Sequence, residues 1–165
     1  MPGYVQKLRA LVRILLAGDA PTDGVLCLAP YARFHDGPQT LLELLNGADR
    51  FIPLEVPEDG SVRLVTRTEI VYVAPHAGVE ARLQRHTSFQ ITHEEQVRMT
   101  MVDGTFLEGL LQLELPNELN RASDYLNLAD DFFTLETGDG LLLVNKLRVR
   151  EVRVFVASPM PAEQD

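Results

Sequence analysis

The chain has no tryptophan, one cysteine, few basic residues and no apolar run long enough to cross a membrane. Each shortage removes a class of explanation. A single cysteine, Cys27, permits no internal disulfide, so a packed core has to hold the fold, and a reducing compartment suits it. Because Val25, Leu26 and Leu28 surround it, that thiol is expected to be buried and inert. With 15 Lys and Arg against 24 Asp and Glu, the formal net charge is -9. Such a field repels a phosphate backbone, and the missing tryptophan leaves little for bases to stack on, which argues against a nucleic-acid partner. Near the start, Lys7, Arg9 and Arg13 precede Ile14 to Ala17, a stretch too short for a signal peptide or a membrane span. The expectation is a cytoplasmic protein with no membrane partner.

Chemistry-bearing motifs are equally scarce. His35, His76, His86 and His93 have no common ligand spacing, and His93-Glu94-Glu95 lacks the second histidine of a zincin helix, since Val97 stands there. No metal or other cofactor is expected. The glycines form no dinucleotide or phosphate loop; Gly104, Gly109, Gly138 and Gly140 are spaced for β-turns and bulges.

What the chain does have is a message written twice. LNGADRFIPLE, Leu45 to Glu55, returns as LNLADDFFTLE, Leu126 to Glu136, with seven of eleven positions identical. Upstream, Val12 to Leu28 lies without a gap on Val97 to Leu113, and downstream Val65 and Ile70 fall on Val144 and Val149. The period of about eighty residues is too long for a solenoid repeat and long enough for a small folded unit.

Local signals fill in that unit. Residues 4 to 16 fit a helix and a strand about equally, but their repeat, Val97 to Met101, alternates apolar and polar and ends at Asp103-Gly104 before a second alternating run. The reading is therefore a strand over Leu11 to Ala17, with any helix confined to Tyr4 to Ala10. Asp-Gly between such runs suggests a type I′ hairpin. In the first unit the further strands are Val25 to Ala29, Phe51 to Val56, Ser61 to Thr66 and Glu69 to Val73, with a helical turn over Leu41 to Asn46. In the second they are Glu95 to Val102, Thr105 to Leu115, Phe132 to Thr137, Leu141 to Asn145 and Arg148 to Val156, with a helical turn over Ser123 to Asn127. Thr87, Phe89 and Ile91 alternate like an extra strand between the units, and Ser158 to Asp165 reads as a frayed tail. Leu45, Phe51, Leu54, Leu126, Phe132 and Leu135 recur at matching places and are expected to be core.

The fold expected is all-β: two tandem five-stranded SH3-like or Sm-like small barrels related by internal duplication, at 11-73 and 96-156, joined by 74-95 and followed by a tail from 157. The segment Arg121-Ala122-Ser123-Asp124-Tyr125-Leu126-Asn127, with Phe132, Leu135 and Val144-Asn145-Lys146, resembles an uncharacterised group of bacterial proteins carrying R-x-S-D-x-L-N and V-N-K motifs. The resemblance covers mainly 97 to 156 and implies no established activity. Capping also explains the segment. Ser123 caps the turn, Asp124 suits the positive helix end and pairs with Arg121, and Asn46 and Asn127 stop their turns in a left-handed conformation.

Three functional readings follow. A non-enzymatic binding or scaffolding module would use strand edges, Arg121 and Asp124 to hold protein partners, including further copies of itself. An Sm-like RNA-binding or regulatory protein would present the basic last strand, Lys146, Arg148, Arg150 and Arg153, although lysine and arginine also serve to keep an edge strand solvated. A small hydrolase would use His35-Asp36 as its base, with Thr40 or Ser61 as nucleophile. The first is preferred, because no nucleophile elbow is present and the acidic field opposes the second.

Overall fold

The computed structural model describes residues 7–85, 93–113, 121–128 and 130–155. In the first half of the chain lie β1 (Leu8–Leu16), β2 (Thr22–Leu28), α1 (Leu41–Leu45), β3 (Phe51–Val56), β4 (Ser61–Thr66) and β5 (Ile70–Pro75). After α2 (Ala81–Gln84) come β6 (His93–Met101), β7 (Phe106–Leu113), α3 (Ala122–Leu128), β8 (Phe132–Thr137), β9 (Gly140–Asn145) and β10 (Val149–Phe155). The extra strand expected over 87 to 91, the connection over 116 to 120, His86 and the tail lie outside the described residues.

All ten strands belong to one antiparallel sheet in the order β10-β6-β7-β8-β9-β5-β1-β2-β3-β4. The chain is all-β, but the sheet is continuous and open where two separate barrels were expected. The halves fuse because β5 pairs with β9, with Tyr72 opposite Val144 and Val73 opposite Leu143. Alternation shows that a segment is a strand; it does not show which edge that strand will find.

β1 obeys the two-residue period, burying Ala10, Val12 and Ile14 while Arg9, Leu11 and Arg13 face outward. It starts earlier than expected. Leu8, Arg9 and Ala10 pair with Leu28, Cys27 and Leu26, so these residues are strand rather than helix, and Tyr4 to Gln6 lie outside the described residues. The Asp103-Gly104 hairpin forms, but it is not type I′, because only Gly104 has positive φ. The Met101 N–H donates to the Thr105 carbonyl at 2.8 Å around a three-residue loop, and the Asp103 carboxylate accepts from the Thr105 N–H at 3.0 Å.

The two halves share several local details. Val12 pairs with Gly24 as Val97 pairs with Gly109. Both glycines let the next strand come close. A Cβ on Gly24 would lie 2.8 Å from the Glu55 carbonyl oxygen, and one on Gly109 2.3 Å from that of Glu136. β3 pairs with β4 from Phe51 opposite Thr66 to Val56 opposite Ser61, and β8 with β9 from Phe132 opposite Asn145 to Thr137 opposite Gly140. The β1–β5 and β6–β10 pairings each carry a register break, beside Leu15–Leu16 and Val149–Glu151.

Two apolar clusters form the interior, and each borrows from the other half. Phe132 and Leu143 join the first cluster with Val12, Ile14, Leu26, Leu41, Leu45 and Leu54. Leu15 and Val71 join the second with Val97, Met99, Leu111, Phe133, Leu135 and Val144. The β8–β9 ribbon is therefore covered on both faces, which its run of apolar residues permits.

Candidate functional site

Of the residues expected to be core, Leu45, Leu54, Phe132 and Leu135 are buried and Leu126 is half-buried. Phe51 departs from this pattern. It is 52% exposed, while Phe132, at the same place in β8, is 2% exposed. The reason is position in the sheet. β8 and β9 have the first half packed on their second face, whereas β4 is the outermost strand and β3 lies next to it. Because Phe51 pairs with Thr66 and Pro53 with Leu64, Phe51, Pro53, Val62 and Leu64 share one face, and all four are exposed. Leu64 is 66% exposed and Val62 61%. Among the described residues no strand lies beyond β4 or β10.

The basic last strand does not form a single row. Lys146 and Arg148 sit in the 3-10 turn before β10. The Arg148 guanidinium crosses to the first half, donating through Nε to the Thr68 carbonyl at 2.9 Å and pairing with the Glu69 carboxylate. Arg150 lies at the register break and is exposed, whereas Arg153 pairs in register with Arg98. Val149, Val152 and Val154 pack against the second cluster, as expected of the apolar positions between the bases. On the outer face, Arg98, Thr100, Phe106, Glu151 and Arg153 line a hollow of about 170 Å³. There the Arg98 guanidinium stacks 4.4 Å from the centroid of the Phe106 ring.

α3 is built differently from the capping scheme expected of it. The helix begins at Ala122, so Ser123 lies inside it, and the Ala122 N–H donates to the Glu95 carboxylate at 3.1 Å. Arg121 is exposed, Asp124 stands in the first turn, and no ion pair joins them. In the first half the cap is Thr40, which accepts from the Glu43 N–H while Glu43 accepts from the Thr40 N–H. Neither asparagine is left-handed: Asn127 is helical, and Asn46 has φ of -89°. Asn46 instead reaches the other half, donating to the Phe132 carbonyl at 3.0 Å and accepting from the Phe132 N–H at 2.8 Å.

His35 and Asp36 do not form a side-chain dyad. The His35 Nε2 lies 2.8 Å from Glu43 Oε1, and Nδ1 lies 2.8 Å from the Asp36 backbone carbonyl. The Glu43 carboxylate, and then that carbonyl, hold the imidazole pKa above its ordinary value. Burial pushes the Glu43 carboxyl up, but hydrogen bonds from His35 and Thr40 outweigh it and leave the group below its ordinary value. The Thr40 hydroxyl is buried in the helix cap, and the Ser61 hydroxyl donates to Asp59 at 2.5 Å. The arrangement anchors the 30–40 connection to α1.

Cys27 is half-buried, not enclosed as expected, because β2 turns it to the outer face. Its Sγ lies 3.0 Å from Glu55 Oε2, and the other oxygen of that carboxylate pairs with Arg9 at 2.5 Å. Burial and the neighbouring carboxylate push the thiol up. Beside this row an open groove of about 410 Å³ is lined by Arg9, Leu11, His76, Val79 and Leu83. Among the described residues no group of three or more metal-ligating side chains converges, and no helix is long and apolar enough to cross a membrane.

Sequence reasoning missed the exposed face of β3–β4. Its residues are apolar and alternate like core, so only the position of β4 in the sheet could reveal it. No family model matches the chain, and neither a curated protein nor a solved structure matches it.

Proposed function

We propose that this chain is a non-enzymatic binding or scaffolding module that takes protein partners by adding strands to its open sheet edges. The observation that carries this reading is the β4 edge, an outermost strand flanked by exposed Phe51, Pro53, Val62 and Leu64. Soluble proteins rarely leave an unpaired strand beside a contiguous apolar patch, since such an edge templates association. An added strand would gain backbone hydrogen bonds along β4 and side-chain contacts with Val62 and Leu64.

The halves, 11-73 and 96-156, are taken as copies of one small SH3-like or Sm-like unit. The repeated sequence, the shared glycine contacts and the matched β3–β4 and β8–β9 registers support it. A reducing, cytoplasmic setting suits the lone half-buried thiol. Arg148 is engaged between the halves, and Arg150 and Arg153 are the exposed bases of this cluster, a small cationic surface on an acidic chain, so a protein partner is favoured over RNA.

Selection from a displayed peptide library tests the module. Wild type should enrich segments with alternating apolar residues, and Val62→Pro with Leu64→Lys should lose them. Enrichment unaffected by both changes would place binding elsewhere.

A further inference from the structure

The sheet already contains one junction of the kind its edges could make. Within each half the fourth strand pairs with the third over six residues, and the fifth pairs with the first through a register break. β9 is the fourth strand of the second half and β5 the fifth of the first, and their pairing is the seam that fuses the halves. The strands left at the two ends of the sheet are β4, a fourth strand, and β10, a fifth. Each edge is the counterpart of one side of the internal seam.

The side chains follow the same logic. On the seam side, Phe132 and Leu143 are covered by the first half. Their counterparts Phe51 and Leu64 are exposed. Asn46 clamps the Phe132 backbone, and Asn127, which follows Leu126 as Asn46 follows Leu45, is exposed on α3. Asn145 donates to the Ile70 carbonyl at 2.9 Å, and Thr66 stands at its place on β4.

We propose that β4 of one copy pairs antiparallel with β10 of a second copy, rebuilding the β5–β9 seam between molecules. This rests on the binding-module reading and names its partner. Transferring the seam register sets Leu64 opposite Val152 and Val65 opposite Glu151 of the next copy, with Phe51 covered beside Asn127. Leu64 then lies next to Val152 and Val154, which already pack on the second cluster. The contact is heterologous, since β4 meets β10 and not another β4, so the product is a ring or a chain of copies without a two-fold axis at the junction. The register puts Arg63 opposite Arg153, and like charges directly across a ladder repel.

That repulsion makes the test directional. Full-length protein in sedimentation experiments should assemble as its concentration rises over roughly a hundredfold range. Leu64→Lys and Asn127→Ala should each shift it toward monomer and leave the thermal melt of dilute monomer unchanged, because both side chains are exposed. Arg153→Glu should tighten assembly several-fold by placing opposite charges across the ladder. In a Cys27→Ser background, Leu64→Cys and Val152→Cys proteins should form a disulfide when mixed and none when kept apart. Protein that stays monomeric, or that cross-links within either single-cysteine sample, overturns the proposal. If it stays monomeric yet selects alternating peptides in a Leu64-dependent way, the edge serves a foreign partner and the module reading stands.

Discussion

Asn46 holds the backbone of Phe132 at both ends, donating through Nδ2 to the carbonyl and accepting through Oδ1 from the N–H across 86 residues of chain. A side-chain amide matches a peptide unit in this way as a β-strand neighbour would, so α1 is tied to β8 without a further strand. Asn46→Ala removes both bonds and leaves two partly buried backbone groups unpaired. The expected cost is about 2–3 kcal/mol in denaturant titration. A loss below about 0.5 kcal/mol would mean that water replaces the amide freely.

Phe51 and Phe132 make a matched pair of truncations. Phe132→Ala should cost about 3–5 kcal/mol, because the ring is enclosed and its removal leaves a cavity. Phe51→Ala should cost less than about 1 kcal/mol in the isolated molecule, since half of its ring is already in water. Equal costs would contradict the different environments of the two rings.

Gly109 is constrained by space rather than by φ. A Cβ there would meet the Glu136 carbonyl oxygen at 2.3 Å, a backbone atom that cannot rotate away. Gly109→Ala should push β8 off β7 and cost about 1–3 kcal/mol. Gly138→Ala, with nothing within 4 Å of the new methyl, is the control and should change stability little. Chemical unfolding of the two variants side by side distinguishes them.

The Cys27 thiol should react slowly at neutral pH, because burial and the Glu55 carboxylate both disfavour the thiolate. Glu55→Gln removes the neighbouring negative charge, so the thiol pKa falls and alkylation should run several-fold faster. Unchanged kinetics, followed by mass spectrometry, would show that access alone limits the reaction.

The His35–Glu43 pair gives the 30–40 connection a pH window. His35 is raised, so its contribution is complete below its ordinary value of 6.5 and is lost as pH rises through the folded value. Glu43 is lowered, so its contribution is complete above its ordinary value of 4.5 and is lost as pH falls through the folded value. The pair is strongest between those limits. Histidine resonances followed by NMR should titrate late for His35, and Glu43→Gln should bring that titration back down. Amide protection factors for α1 that stay flat from roughly pH 5 to 9 would show that the pair does not hold the connection.

Much of the local structure was legible from residue order. β3, β4 and β8 have the bounds their alternation suggests, and β9 differs by one residue, because strand period and turn residues act over a few neighbours. Ser123 does not cap α3, because Glu95, from a strand distant in the chain, accepts from the helix N-terminus, a contact that residue order alone does not show. Asn46 acts across the molecule and not as a local helix stop for the same reason, its partner Phe132 lying 86 residues away.

The sequence by itself determined that the chain is all-β, which segments are strands, and that the pattern of the first half recurs in the second. Those properties depend on side-chain period and turn chemistry, which are local. Only the tertiary structure decided that β5 would pair with β9, so that the halves share one open sheet, and that Phe132 would be covered while Phe51 is not. The two phenylalanines stand in nearly the same sequence. What separates them is whether the other half of the molecule packs on their face, and strand pairing across such a distance is chosen by the assembled edges and not by the residues beside each ring.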